Sequence, residues 1–258
     1  MNESSSSTSQ TLISHLTELR KRLVWCVVVI GVLMIGAWEF ADTLLEWLIH
    51  PLQVAMNETG GTQRLIMTGL TEGFVTHLKV ACFTGFFIGI PYILYQGWAF
   101  VAPGLYLKEK RLVWPFLVAS PFMFALGASF VYFLVMPNAW PFFLSFQTGA
   151  AQTGLAIEME TRLNDYLNLI MAFLIAFGLV FQLPVILVLL GQAGIVSSEG
   201  LRKSRRVAIV LAFIAGALLT PPDVLSQLSL AVPIVVFYEV SILIIAAIER
   251  GRRTERPL

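Results

Sequence analysis

Residues 207–248 read VAIVLAFIAGALLTPPDVLSQLSLAVPIVVFYEVSILIIAAI, an almost uninterrupted apolar stretch with two charged side chains, Asp223 and Glu239. A bilayer core of about 30 Å needs about 20 apolar residues per helix, so this stretch is long enough to cross a membrane twice. Pro221 and Pro222 interrupt it near the middle, because proline cannot continue a helix interior, and Asp223 is a favoured cap for the next helix. The stretch therefore predicts a membrane hairpin, with helix five at 207–219 and helix six at 224–248.

The same search for long apolar segments predicts four more helices upstream, at 23–45, 74–99, 113–136 and 166–190. Hydrophobic residues make up 57% of the chain, charged residues 13%, and the mean hydropathy is +0.79, which lies outside the range of an ordinary soluble domain. The fold class is therefore predicted to be all-α, a polytopic membrane protein with six transmembrane helices. Helix five would span only about 20 Å at ~1.5 Å per residue, which predicts local thinning of the bilayer or a tilt of neighbouring helices.

The lysines and arginines alternate between the two sides of this arrangement. The N-terminal segment, the loops after helices two and four, and the C-terminal tail together carry 14 of the 17 cations. The opposite side carries only Arg64 and Arg162, and Lys79 falls inside helix two. Because cytoplasmic loops retain Lys and Arg, both termini are predicted to be cytoplasmic. The domain organisation follows as a disordered Ser/Thr-rich tail at 1–11, a membrane domain at 12–250 and a basic tail at 251–258.

The segment 12–23 is amphipathic, since its leucines recur at helical spacing while its polar residues share another face. We expect it to lie along the cytoplasmic surface before it turns into helix one. Glu18 and Arg22 are four residues apart and could form an ion pair on that surface.

Nothing in the sequence predicts an enzyme, a metal site or a cofactor. Zinc-binding His/Glu spacings, glycine-rich phosphate loops and nucleophile–base pairs are absent from the sequence. Cys26 and Cys82 lie in apolar runs without a CxxC spacing, so no disulfide is expected, and a net charge of +1 does not indicate a nucleic-acid partner.

The residues alone leave two alternative functions open. A small secondary transporter with a midplane substrate site would show repeated, charged, broken helices. An intramembrane protease would need paired catalytic residues inside its helices.

Four stretches of the chain resemble the TatC family. They are SHLTELRKRL at 14–23, YQGWAFVAPGLY at 95–106 with EKR at 109–111, LRK at 201–203, and LLTPPDVLSQ at 218–227. They occur in the family's order, so the resemblance covers roughly residues 12–250. It implies a cupped bundle with short helices five and six, located in the bacterial inner membrane. It further implies that the chain is the core receptor subunit of the twin-arginine translocase and that this subunit binds the signal peptides of folded cargo proteins. The implied partners are TatA- and TatB-type single-helix subunits in a hetero-oligomer, with the proton-motive force as energy source.

By this resemblance, four positions match the family's signal-peptide site: Glu18, Arg20, Phe100 and Glu109. Carboxylates suit the task, because they accept charge-assisted, bidentate hydrogen bonds from arginine. From the residues alone, Glu109 could equally be a surface carboxylate neutralised by neighbouring cations. Phe100 could be an interfacial aromatic at the end of helix two.

The remaining candidate positions lie in the later helices. Gln182 occupies a position that is commonly glutamate in the family, so the resemblance implies hydrogen bonding there without an obligatory charge; interhelical contact is the alternative. Glu239 is expected to contact a polar group on a neighbouring helix. Asp223 is expected to cap helix six, and the resemblance implies that Thr220, Asp223 and Gln227 lie where partner subunits dock.

Overall fold

The structure is a computed structural model that describes the backbone of residues 3–58, 64–101, 110–145, 161–220 and 223–254. Within these ranges it describes all side chains except those of 3–14, 101, 110–114 and 253–254. The chain divides into two compact units. The first unit contains residues 1–44 and 75–121, and the second unit contains residues 45–74 and 122–258.

Helices dominate the chain, with one short pair of strands. In chain order the elements are α1 Glu3–Trp38, α2 Ala41–Glu58, β1 Leu65–Ile66, α3 Glu72–Val101, α4 Lys110–Phe130, a π-helical turn Val131–Val135, α5 Met136–Leu144, β2 Thr161–Arg162, α6 Leu163–Val180, α7 Leu183–Gln192, α8 Ser198–Lys203, α9 Arg205–Leu219 and α10 Val224–Thr254.

The predicted all-α membrane fold is confirmed. Among the described residues, five helical segments are long and apolar enough to cross a membrane, at 15–38, 72–100, 115–144, 163–192 and 224–252. The sixth predicted span corresponds to α9, which has only 15 residues. Its crossing of the membrane, and the orientation of the termini, stay predictions. The strands, which the sequence did not indicate, form a parallel pair in which Leu65 lies opposite Thr161.

The first helix differs from its prediction at both ends. The segment 12–23 does not turn before helix one; both belong to the single helix α1, because no proline or glycine interrupts the chain there. The backbone of residues 3–11 also belongs to α1. The side chains of these residues lie outside the described part of the chain, so the disorder predicted for 1–11 stays a prediction. At its other end α1 stops at Trp38 and not at residue 45.

A separate helix, α2, follows the turn at Glu39 and Phe40 and was missed by the sequence analysis. Its first turn carries Asp42, and a carboxylate is stabilised at a helix N-terminus. In the second unit, the hydroxyl of Tyr132 donates to the carbonyl of Trp47 at 2.8 Å, and that of Tyr166 donates to the carbonyl of Leu48 at 2.7 Å. These two bonds attach α2 to the helices of the second unit.

The third predicted helix continues beyond residue 136 to Leu144. It does so through the π-helical turn, in which the amide of Met136 donates to the carbonyl of Val131. Pro137 explains the irregularity, because proline lacks an amide hydrogen and its ring clashes with the carbonyl four residues earlier in a regular helix. The local widening lets the helix continue past the proline.

The fourth predicted helix is broken into α6 and α7 at Phe181 and Gln182. Pro184 lies in the first turn of α7, where the missing amide hydrogen costs little. The helix is thus interrupted for two residues before Pro184, although both parts together still form one segment long enough to cross a membrane, and the bend expected from Pro184 stays a prediction.

The hairpin predicted from 207–248 is present as α9 and α10. The amide of Ser226 donates to Oδ1 of Asp223 at 2.7 Å, which confirms the predicted cap. Both helices of the hairpin were expected to be short. α9 is short, with 15 residues, but α10 has 31 residues, so the expectation for helix six was wrong. The helix continues beyond its apolar run, which ends at Ile248, through Arg250 and Arg252, because cations are stabilised at a helix C-terminus.

Glycines allow two helices to cross closely in each unit. In the first unit, a Cβ on Gly85 of α3 would lie 2.6 Å from the backbone nitrogen of Met34 in α1. In the second unit, a Cβ on Gly127 of α4 would lie 2.6 Å from the carbonyl oxygen of Phe177 in α6. Only glycine permits such approaches of two backbones. Cys26 and Cys82 are both free, as expected.

Candidate functional site

In the first unit, the facing parts of α1 and α3 join four polar side chains in one hydrogen-bonded chain. Arg22 donates to Oε1 of Glu18 from Nε at 3.0 Å and from Nη2 at 2.5 Å. Its Nη1 donates to Oε1 of Gln96 at 2.9 Å, and Nε2 of Gln96 donates to the hydroxyl of Tyr92 at 2.7 Å. The ion pair expected from the spacing of Glu18 and Arg22 is confirmed, and it is tied to α3 as well.

An aromatic contact extends this arrangement by one turn on each helix. The rings of His15 and Phe100 stack with centroids 4.2 Å apart and an angle of 19° between their planes. His15 precedes Glu18 by three residues, and Phe100 follows Gln96 by four, so the stack adjoins the hydrogen-bonded chain. We call these residues the α1–α3 polar cluster: His15, Glu18, Arg22, Tyr92, Gln96 and Phe100.

The carboxylate of Glu18 is only partly satisfied. Both bonds from Arg22 end on Oε1, and Oε2 has no hydrogen-bond partner among the described residues. The Glu18 side chain is 38% exposed, against 25% for Arg22. A carboxylate can accept about four hydrogen bonds, so Glu18 has lone pairs available for a further cationic ligand.

The other two residues predicted for the signal-peptide site are Arg20 and Glu109. Arg20 is exposed on α1, where its guanidinium can donate to a ligand. Glu109 lies outside the described residues, so its place in this site stays a prediction. Of the four residues predicted for this site, the structure therefore describes Glu18, Arg20 and Phe100.

The polar positions predicted in the later helices all belong to the second unit. Gln182 is 5% exposed and lies at the break between α6 and α7. Oε2 of Glu239 in α10 accepts a hydrogen bond from Nη2 of Arg205 in α9 at 2.6 Å. This ion pair joins the two helices of the hairpin.

At the turn of the hairpin, the hydroxyl of Thr220 donates to the carbonyl of Gly216 at 2.8 Å. Nε2 of Gln227 donates to the carbonyl of Phe213 at 3.1 Å, and its side chain packs over Gly216. Of these bonds, that of Gln227 joins α10 to α9 near their connected ends, whereas the bond of Thr220 lies at the end of α9 and Asp223 caps α10.

Residues 14–233 match the model of the family described as Sec-independent protein translocase protein (TatC). The chain belongs to the TatC family. The protein TatC of Desulforapulum autotrophicum is 42% identical over 229 residues, which cover 89% of this chain and 82% of that protein. TatC of Rickettsia prowazekii is 40% identical over 238 residues, covering 92% and 93%, and TatC of Escherichia coli K12 is 40% identical over 234 residues, covering 91% and 87%.

A solved structure agrees with this membership of the TatC family. The crystal structure entitled twin arginine translocase receptor TatC superimposes with a TM-score of 0.76 at 35% identity, covering 90% of this chain and 98% of that one. As a TatC-family member, the chain is a membrane-embedded component of a protein translocase and not an enzyme. It works in the Tat translocase complex, which implies partner subunits. The transporter and protease alternatives are thereby excluded.

Three members of the α1–α3 polar cluster were not predicted for this TatC-family chain: His15, Tyr92 and Gln96. A signal for them was present, because positions 92, 96 and 100 recur at a spacing of four residues on α3. On α1, spacings of three and four residues relate His15, Glu18 and Arg22. Two polar faces of this kind on neighbouring helices predict a contact, although sequence alone does not set their register.

Proposed function

We propose that this chain is the subunit of the twin-arginine translocase that receives the signal peptide, and that the arginine pair binds at the α1–α3 polar cluster. The observation that supports this most directly is the available Oε2 of Glu18, close to the stacked rings of His15 and Phe100. A solved relative at 35% identity is entitled a twin arginine translocase receptor.

In this proposal Glu18 binds one arginine of the signal peptide. Oε2 accepts from the incoming guanidinium while Oε1 keeps its bonds to Arg22. Because Arg22 already balances the charge of Glu18, the site needs a second carboxylate to favour two further cations. Glu109 is the acid of the loop after α3 and is proposed for that role.

Phe100 and Arg20 are proposed to position the peptide. One face of the Phe100 ring is covered by His15, and the half-buried ring can still offer its edge or other face to a guanidinium. Arg20 has only donors, so it suits the backbone carbonyls of an extended peptide and not its arginines.

The apolar part of the signal peptide is proposed to pass Gln182. This residue lies at a helix break inside an apolar segment, where polar side chains are costly and usually have a function. We further propose that TatA- and TatB-type helices dock beside Thr220, Asp223 and Gln227, and that the proton-motive force drives transport. Membership of the TatC family supports a bacterial inner-membrane location, and the cation distribution supports cytoplasmic termini.

Signal-peptide binding by the purified full-length chain tests the receptor proposal. A labelled twin-arginine signal peptide is titrated against a Lys-Lys version for wild type, Glu18→Gln and Glu109→Gln. Charge-assisted hydrogen bonds contribute about 1.5–3 kcal/mol, so either substitution is expected to weaken binding of the arginine peptide roughly tenfold or more. The preference over the lysine peptide should fall with it.

Glu199→Gln is the matched control. Glu199 also forms an i,i+4 ion pair, with Nζ of Lys203 at 2.8 Å, but it lies in α8, away from the α1–α3 polar cluster in the chain. This control should bind both peptides as wild type does. Equal binding of both peptides by wild type would refute the proposal, because only general attraction of a cationic amphiphile would remain.

A further inference from the structure

An apolar groove runs along one face of α9 in the second unit. Its volume is about 710 Å³, and it is bounded by α6, α7, α9 and α10. Alanines on facing helices create the space, since larger side chains would fill it; they are Ala172 and Ala176 on α6 and Ala208, Ala212 and Ala215 on α9. All the lining side chains are hydrocarbon except Tyr238, whose hydroxyl already donates to the carbonyl of Leu201 at 2.8 Å.

One end of this groove adjoins the cationic turn between α8 and α9. Ala208 follows Arg205 by three residues, and Tyr238 precedes Glu239. Two carboxylates near this end are already neutralised, Glu239 by Arg205 at 2.6 Å and Glu199 by Lys203 at 2.8 Å. A third, Glu249 of α10, accepts from the amide of Ser198 at the start of α8, at 3.0 Å.

Two arginines at this turn carry charge that is not balanced. Arg202 and Arg206 are both exposed, and neither has a carboxylate partner in the part of the chain that the structure describes. The turn lies between the apolar segments 163–192 and 224–252, so it belongs at a membrane surface, where lipid headgroups lie.

We propose that this groove binds an anionic phospholipid of the surrounding bilayer, with an acyl chain along α9 and the phosphate at Arg202 and Arg206. Apart from the hydroxyl of Tyr238, which is already bonded to Leu201, the groove is lined by hydrocarbon side chains, which suits an acyl chain. Guanidinium groups bind phosphate in charge-assisted, bidentate geometry, and basic pockets between membrane helices favour anionic headgroups.

The size of the groove favours an acyl chain over a helix. An α-helix with its side chains is about 10–12 Å across, and a spanning helix of about 20 residues is about 30 Å long. Such a cylinder far exceeds the 710 Å³ of the groove, so a helix could rest on the groove but not enter it. The only buried residues of α9 are Ala212 and Gly216, so a lipid chain would cover a helix that the protein itself covers little.

Lipid retention by the purified full-length chain tests this inference without any signal peptide. The protein is equilibrated in detergent with phosphatidylglycerol or phosphatidylcholine, and bound lipid is counted by native mass spectrometry. Phosphatidylglycerol with a photoactivatable acyl chain then maps the contact by cross-linking. Two variants are compared with wild type: Arg202→Gln with Arg206→Gln, and Ala208→Leu with Ala215→Leu.

Wild type is expected to retain one phosphatidylglycerol with roughly tenfold or greater preference over phosphatidylcholine, because each of the two arginines adds to the attraction of an anionic headgroup. Cross-links should fall in 172–187 and 208–219. The arginine variant should lose the preference for phosphatidylglycerol. The leucine variant should lose both retention and cross-links, since it fills the groove.

Two control variants carry matched changes elsewhere. Arg20→Gln with Lys21→Gln removes the same charge from α1, and Ala217→Leu enlarges an exposed alanine of α9 that does not line the groove. Equal retention of both lipids by wild type, or cross-links spread over all apolar helices, would overturn the proposal. An arginine variant that still prefers phosphatidylglycerol would also overturn it. Arg202 and Arg206 are exposed, so the arginine variant should fold, and its result does not depend on whether the leucine variant folds.

Discussion

At the scale of single residues, Asp223 combines an observed structural role with a proposed docking role. Its Oδ1 accepts from the amide of Ser226 at 2.7 Å, which caps α10. We expect Asp223→Ala to lower the free energy of unfolding by about 1 kcal/mol, the usual cost of losing a helix cap. Thermal unfolding of the purified protein in one detergent measures the change.

Asp223→Asn separates the two roles, because asparagine keeps a capping oxygen and removes the charge. It should unfold close to wild type, within about 0.5 kcal/mol of it. If the charge also serves docking, this variant should recover less partner subunit on co-purification. A variant as unstable as Asp223→Ala would show that the carboxylate charge, and not the cap, stabilises the hairpin.

The residues of the α1–α3 polar cluster show what the sequence could predict at this scale. The pair Glu18 and Arg22 followed from spacing within one helix, since residues four apart are neighbours there. The contacts of Arg22 with Gln96 and of His15 with Phe100 join residues that are far apart in the chain. They depend on the relative register of α1 and α3, which no local pattern fixes.

At the scale of elements, Gly85 determines how closely α1 and α3 approach. A Cβ there would lie 2.6 Å from the backbone nitrogen of Met34, and backbone cannot move aside as a side chain can. We expect Gly85→Leu to destabilise the protein by about 1–3 kcal/mol or more through overpacking. It should also weaken signal-peptide binding, because separating the helices breaks the bond between Arg22 and Gln96.

Gly97→Leu is the control on the same helix, since a Cβ at Gly97 meets nothing within 4 Å. It should leave both unfolding temperature and peptide affinity near those of wild type. A Gly85→Leu protein that binds peptide as wild type does would separate the close crossing from the site.

Helix positions were predicted well where the apolar run was long, and poorly where it was not. The hairpin of α9 and α10 followed directly from its prolines and its length. α2 was missed because an amphipathic helix shorter than a membrane span leaves no long apolar run. The joining of the segment 12–23 to helix one was missed for a related reason: amphipathicity predicts which face is polar, but not whether the helix axis turns.

At the scale of the whole molecule, the described helices do not match one bilayer thickness. The long spans have 24–30 residues, whereas α9 has 15, or about 22 Å at ~1.5 Å per residue. The sequence already indicated this mismatch, because the apolar run ends at the prolines after residue 219. For α9 to cross the membrane as predicted, a bilayer core of about 30 Å must thin around it or the neighbouring helices must tilt, so that both ends of α9 stay in the headgroup region.

Bilayer thickness should accordingly control the stability of the chain. We expect the unfolding temperature to be highest in phosphatidylcholine bilayers thinner than average and to fall as the acyl chains lengthen, because mismatch costs a fraction of a kcal/mol per Å. Reconstitution into vesicles of short, medium and long acyl chains, followed by thermal unfolding, measures this. The long spans alone would give the opposite trend, with stability rising as the bilayer approaches their length. A rising trend would therefore show that α9 does not lie across the membrane, and that five helices cross it and not six.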